Sequence, residues 1–413
     1  MTPWTDRPEH RAWLRAERHR LIAFGRRAAR PGGGAAWLDA DGAPDRDRGI
    51  HTWITARTVH TFALASLLGV PGAGPVAQQA LAGLGGEGAV LHDDEHGGWY
   101  ARVAWDGTVE DPGKQSYQHA FVVLAASSAL AADLDGARAL LDEAAGTFLD
   151  RFWDEEAGMC VDAYDRTFTE LDAYRGVNGN MHAVEAMLAA GDVTGDPAWH
   201  SRALRVARRV IAEAEAQDWR IPEHYDATWT ADLELNRDRP DDPFKPFGAT
   251  VGHGLEWARL LLHLEASTGD QDLLPAARAL FERADADGWA VDGSDGFVYT
   301  TDWSGQPVVR DRMHWVVAEA TAAAAVLHAR TGEEAYARRY ATWWDHAATA
   351  FRDLDRGSWH HQLDASHTPT DTVWPGKPDL YHAFQATLLP EAPLAPGLAV
   401  AARDGLIPTA VEA

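Results

Sequence analysis

Apolar residues recur at i, i+3 and i+4 along most of the chain, in stretches rich in alanine. That period predicts amphipathic helices over Glu9–Ala29, Thr52–Leu68, Gln118–Ala132, Gly136–Phe152, Asn180–Ala190, Ala198–Ala216, Gly252–Thr268, Leu273–Ala286, Arg312–Arg330, Glu333–Phe351 and Leu380–Leu389. Polar segments with Gly, Asp and Trp separate them. Four of these segments resemble one another: those opening "LHDDEHGGWYARVAWDG", "FWDEEAGMCVDAYDRT", "DADGWAVDGSDGFVYTTDWSG" and "FRDLDRGSWHHQLDASH". Each reads as an Asp/Gly turn, a short aromatic strand, a second Asp or Gly turn and a loop into a new helix.

The unit recurs every 60 to 70 residues or so and carries two helices. Self-similarity at a fixed period signals a repeat architecture. An open solenoid needs polar capping repeats at its ends. Here polar, aromatic and histidine residues collect at one end of alternate helices, which predicts a closed α/α barrel whose inner helix N-termini face a cavity. With no Pro/Ser-rich linker, the expected organisation is one domain over residues 1–413, although length alone suits about two or three.

Composition narrows the function classes. The net charge of −25 argues against nucleic acid, which needs a basic surface to neutralise phosphates. No apolar run approaches the roughly 20 residues that span a bilayer, and the N-terminus lacks the apolar core of a signal peptide. The single cysteine, Cys160, excludes an internal disulfide and a cysteine-based zinc site. Together these predict a cytoplasmic protein with no membrane partner, and they leave room for a homo-oligomer. The 18 Trp and 19 His suit flat, partly polar ligands such as sugar rings, or simple core packing.

Histidine and a polar partner recur three residues apart near helix starts: His182 and Glu185, His253 and Glu256, His382 and Gln385. Neutral imidazole can accept a proton near neutral pH, and a carboxylate beside it holds the ring and raises its basicity. Helix N-termini favour a developing oxyanion. Two such histidines could move a proton between neighbouring sugar carbons without nucleotide or metal. A metal reading competes, because His and Glu at this offset can share an ion, but bundle sites use the order Glu-x-x-His and Gln385 is a poor ligand. Each histidine could also merely cap or pack its own helix.

Other positions are candidates for ligand contact. Arg57, in an otherwise apolar helix, either pairs with a buried carboxylate or points at ligand hydroxyls. Tyr117 and Asn178 each immediately precede a helix, where Asn178 is by default a cap, with Asn180 and Asp172 also available. Trp315 with Glu319 one turn later echoes the histidine pattern, and Trp53, Trp315 and Glu319 suit either packing or binding. "RPGGGAAWLD" is a loop, having no preceding strand and no phosphate-loop lysine. No serine nucleophile elbow is present, whereas a carboxylate pair for glycoside hydrolysis stays open, as does a silent sugar-binding barrel.

The phrases "TARTVHTFAL", "SYQHAF", "NGNMHAVEA", "PFGATVGHGLEWARLL" and "KPDLYHAFQATLLP", spread from about residue 50 to 390, resemble the N-acylglucosamine 2-epimerase superfamily, and within it the aldose–ketose isomerase branch. The resemblance implies an all-α fold, an (α/α)6 barrel with short β-hairpins in its connections. It implies metal-independent interconversion of D-mannose and D-fructose through a cis-enediol, with D-lyxose as a further sugar and no cofactor. Arg57, Tyr117, Asn178 and His182 match positions that hold sugar oxygens, with Trp53, Trp315 and Glu319 expected beside them. His253, oriented by Glu256, and His382 match the acid–base pair. The alternatives within the superfamily are a sulfoquinovose isomerase and a sugar 2-epimerase. A sulfonate would want extra cations, for which only Lys245, Lys377 and scattered arginines stand near the expected barrel mouth.

Overall fold

The computed structural model describes residues 2–86 and 88–409, so the extreme ends of the expected 1–413 domain fall outside it. The helices are α1 (Pro8–Gly25), α2 (Thr52–Leu67), α3 (Ala73–Leu81), α4 (Ser116–Ala131), α5 (Ala137–Arg151), α6 (Val177–Thr194), α7 (Pro197–Ala216), α8 (Val251–Thr268), α9 (Leu273–Gly288), α10 (His314–Thr331), α11 (Glu334–His346), α12 (Tyr381–Leu388) and α13 (Leu398–Arg403). Two compact units emerge. The N-terminal unit comprises Leu21–Val206, Pro378–Tyr381 and the chain from Ala395 onward; the C-terminal unit comprises the chain up to Arg20, Ala207–Lys377 and His382–Leu394.

In the N-terminal unit α4 lies between α2 and α6, with α3 against α2, α5 against α4, and α13 touching α2, α4 and α6. In the C-terminal unit α8 packs on α9 and α10, and α10 on α11. Helices α2, α4, α6, α8 and α10 are buried on nearly every face. Their many small and apolar residues allow this, since a helix apolar all round belongs inside. Helix α9 differs: its buried residues are Leu273, Ala276, Ala277, Leu280, Phe281 and Ala284 among others, one stripe at helical period with a polar face outside.

The repeat is visible in the hairpins. Asp39, Asp106 and Asp165 in the N-terminal unit, and Asp226, Asp302 and Asp364 in the C-terminal unit, each use Oδ1 to accept backbone N–H groups two or four residues on. This is the self-bonding that suits Asp to tight turns. Each of the five buried helices follows a two-residue strand, and in four of them that strand pairs with the next hairpin inside the same unit. Helices α6, α8 and α10 stop at Gly195, Gly269 and Gly332, all left-handed with φ of 74°, 76° and 72°, the conformation glycine adopts without a Cβ penalty.

Most predicted helices match within a few residues. Two short ones, α3 and α13, were not predicted. Helix α3 begins after left-handed Gly72 and carries Pro75 in its first turn, where no intrahelical N–H is lost. The predicted Glu333–Phe351 helix is α11 followed by a π-helical turn, Ala347–Phe351. Helix α6 starts three residues before the predicted Asn180, so Asn178 lies in its first turn and Gly176 is the N-cap. Asn180 makes the local bonds instead, to Cys160 N and O and to Gly176 O.

Candidate active site

In the C-terminal unit three first-turn residues come together: His253 of α8, Trp315 of α10 and His382 of α12. The two imidazoles lean on the same indole, with ring centroids 5.3 Å and 5.7 Å from it at 37° and 39°. Gly252 makes room, because a Cβ there would stand 2.3 Å from the Trp315 ring. Both histidines are buried. His253 Nδ1 lies 2.8 Å from Glu223 Oε1, and His382 Nδ1 lies 2.8 Å from Glu319 Oε1. A carboxylate only accepts, so each Nδ1 carries the hydrogen and Nε2 becomes the basic nitrogen of the neutral ring.

This corrects the expectation that Glu256 orients His253. Glu223, in the loop before α8, takes that role, while Glu256 stands 3.5 Å from Arg259 one turn further along α8. Glu319, expected to touch substrate, is the partner of His382, and its second oxygen accepts from Arg259 Nε at 2.8 Å.

The N-terminal unit has a different character. Trp53 and Tyr117, with the half-buried Asn178, occupy first turns. One turn deeper stand Arg57 and His182. The Arg57 guanidinium pairs with buried Asp379 through Nη1 and donates from Nη2 to the Tyr117 hydroxyl at 3.0 Å. It lies over the Phe121, Tyr381 and Trp53 rings at 4.3, 4.7 and 5.1 Å. Of the two readings of Arg57, a paired carboxylate is present. His182 Nδ1 is 3.6 Å from Glu185 Oε2, beyond hydrogen-bond range, and the Tyr381 hydroxyl donates to that same carboxylate. The three histidines of the repeated pattern are therefore not at one depth: His182 is the sixth residue of its helix, His253 the third and His382 the second.

The family described as N-acylglucosamine 2-epimerase (GlcNAc 2-epimerase) matches residues 33–386. The chain belongs to this family. Its fold is all-α, an (α/α)6 barrel with short hairpins between helices. It is 54% identical to a D-mannose isomerase of Thermobifida fusca, over 97% of this chain and 98% of the relative. It is 45% identical to a D-mannose isomerase of Pseudomonas cannabina pv. alisalensis, over 96% of each. A crystal structure of a D-mannose isomerase superposes with a TM-score of 0.85 at 28% identity, covering 91% of this chain and 96% of that one. A cellobiose 2-epimerase from Spirochaeta thermophila shares the fold with a TM-score of 0.80 at 21% identity, over 96% of this chain and 97% of that one.

Within this N-acylglucosamine 2-epimerase family chain, Glu256, Glu319 and His382 offer donor atoms within 4.8 Å of one another. A metal fits this trio poorly. The Arg259 guanidinium already contacts both carboxylates, and a divalent ion beside it would face a fixed positive charge. Lys377, a candidate for an anionic sugar group, instead binds Asp353 at 2.6 Å and Gly357 O at 2.9 Å from a buried position. No helix among the described residues is long and apolar enough to cross a membrane. Sequence reasoning missed Glu223 and Arg259. The signal for Arg259 was the one used for Arg57, a charge inside an apolar helix. Glu223, 30 residues before its histidine, lies outside any helical period.

Proposed function

We propose that this protein is a sugar isomerase that interconverts D-mannose and D-fructose through a cis-enediol by histidine acid–base catalysis. The observation that carries the reading is the pair of imidazole–carboxylate couples leaning on Trp315. The named relatives, both D-mannose isomerases near full length, support the same choice of sugar. His382 Nε2 takes the proton from carbon-2 of the open-chain aldose, and the electron pair of that bond moves to form the enediol as oxygen-1 gains a proton. His253 moves the proton between the two oxygens, taking it from oxygen-2 and giving it to oxygen-1. His382 then returns its proton to carbon-1, which leaves a ketone at carbon-2. A single imidazole reaches both carbons because the cis-enediol puts them on one face. Carbon-bound sugar hydrogens are weak acids, so the carbonyl must be polarised as the proton leaves.

Arg57, Tyr117, Asn178 and His182 are assigned to the sugar hydroxyls, on their match to the family pattern and on the suitability of guanidinium and phenol donors for fixed hydroxyl geometry. Trp53 and Trp315 are assigned to the sugar faces, and Glu319 and Glu256 to the support of His382. No metal or cofactor enters this scheme. We assign the enzyme to the cytoplasm on its single cysteine and read the chain as one catalytic domain. Incubation with D-mannose, D-glucose, D-lyxose and sulfoquinovose, followed by product NMR, tests the substrate. D-Fructose from D-mannose as the fastest conversion is the expected result. D-Glucose as the product, or preference for sulfoquinovose, would overturn it.

A further inference from the structure

Helices α2, α4, α6, α8 and α10 are each entered through a two-residue strand and carry no side-chain cap. Helix α12, which carries His382, is entered differently. Among the described residues no strand lies between Leu363 and Tyr381, and the chain runs irregularly through Lys377, Pro378, Asp379 and Leu380 into the helix. Side chains fix this start instead. Asp379 Oδ1 accepts the backbone N–H of Tyr381, the first residue of α12, at 2.9 Å, as a helix-capping carboxylate does. Its Oδ2 pairs with the Arg57 guanidinium. The Tyr381 hydroxyl donates to Glu185, and its ring lies 4.7 Å from that guanidinium. Asp379 and Tyr381 are both buried, and the next residue along the chain is His382. A helix start with neither strand nor cap frays, because its first N–H groups have no intrahelical partner. Fraying at Tyr381 would reach His382, whose Nδ1 must stay on Glu319 for Nε2 to remain the basic nitrogen.

We propose that Asp379 is a positioning residue for His382: one oxygen caps α12 while Arg57 holds the other, and together they fix the turn that aims the imidazole. The two oxygens thus have separate consequences. The charge on Asp379 holds Arg57 for the sugar, and the cap holds His382 for proton transfer. The effect on turnover rests on the isomerase reading, whereas the placement of the ring does not depend on it.

Two substitutions in the full chain separate these roles. Asp379→Asn keeps an acceptor for the Tyr381 N–H and removes the charge opposite Arg57; Asp379→Ala removes both. KM for D-mannose should rise similarly in the two variants, by up to about tenfold, because both deprive Arg57 of its counter-charge. They should part in kcat: Asp379→Asn keeps most of the wild-type value, while Asp379→Ala falls by about 10²-fold, the cost of a reacting group displaced by about 1 Å. 1H–15N NMR reads the placement itself. The Nδ1–H resonance of His382, identified by its absence from His382→Asn, should shift or broaden in Asp379→Ala and stay in place in Asp379→Asn, with that of His253 unmoved in both. Should Asp379→Ala fail to fold, Asp379→Glu takes its place: it keeps the charge but carries the oxygens one methylene past the cap, so kcat should fall with KM nearly unchanged. A folded Asp379→Ala protein with wild-type kcat and an unmoved His382 resonance overturns the proposal. So does an equal loss of kcat in Asp379→Asn and Asp379→Ala, which assigns the whole effect to Arg57. Should the wild type turn over no sugar, the isomerase reading fails on its own, while the His382 resonance still decides the role of Asp379.

Discussion

The two units devote their helix N-termini to different chemistry. In the C-terminal unit the first-turn residues are two imidazoles and an indole, each imidazole braced by a carboxylate. In the N-terminal unit they are an indole, a phenol and an amide, above a guanidinium that is already paired and stacked. The same repeat, with the same Asp-tipped hairpins, supports both. The difference lies in protonation: imidazole changes charge near neutral pH, whereas guanidinium does not. On the proposed function, the C-terminal unit moves protons and the N-terminal unit holds a fixed pattern of donors.

The sharpest break of this contrast is His253→Ala. Turnover of closed-ring sugar should fall by about 10²–10⁴, the usual contribution of a general acid–base group, yet slow hydrogen exchange on the open-chain form should persist. Steady-state rates and exchange measured together would show it, and equal loss of both would merge the two histidine roles. Glu223→Gln, which keeps the shape and removes the charge behind His253, should slow turnover about tenfold with little change in KM. An unchanged rate would return the orienting role to another group.

On the other side of the comparison, Arg57→Ala should raise KM about tenfold and slow turnover less, as expected for loss of a charged hydrogen-bond donor. It also strands buried Asp379, so a fall in stability of about 3–5 kcal/mol is expected. Arg57→Lys separates the two effects, and an unaltered KM in a folded Arg57→Lys protein would make Arg57 purely structural.

A smaller effect falls on both units alike. Burial holds His51 and His119 in the N-terminal unit down to about 4 and about 3, and His10 and His346 in the C-terminal unit down to about 4. His119 shows why: its Nδ1 donates to Gln115 O while its Nε2 accepts the Trp99 N–H, an arrangement that protonation destroys. Because the folded values lie below the ordinary 6.5, the unfolded chain binds more protons in this window. Stability is therefore full above about pH 6.5 and declines as pH falls toward 4. Urea midpoints at pH 7, 5.5 and 4.5 should decrease in that order, with a shallower slope in His119→Gln; a flat series would contradict it. The smallest effect expected is none: exhaustive chelation should leave the rate unchanged, and loss restored by a divalent ion would revive a metal at Glu256, Glu319 and His382.

Much of the fold could be read from periodicity, because long helices bury apolar residues at a regular spacing and the hairpin segments repeat. The helix starts could not be read as well. Strand-to-helix transitions here carry no side-chain cap on His51, Gln115, Gly176, Thr250 or Met313, so the usual Ser, Thr, Asp or Asn marker was missing at all but Thr250, which makes no capping bond, and His182 was placed one turn too near the helix mouth. The residues that came together as His253, Trp315 and His382 were each visible as polar or aromatic positions opening a buried helix. Their carboxylate partners were not, since Glu223 and Glu319 reach across from other elements, and sequence spacing within one helix pointed to Glu256 instead.

The central claim is that the imidazole of His382, in the C-terminal unit, moves hydrogen between carbons 2 and 1 of D-mannose. It is tested most directly by 1H NMR of D-mannose in heavy water with the wild-type protein and with folded His382→Ala. The account predicts D-fructose formation with exchange of the carbon-2 hydrogen for the wild type, and loss of both in the variant by at least about 10²-fold. Near-normal exchange and D-fructose formation by His382→Ala would place the base elsewhere and contradict the account.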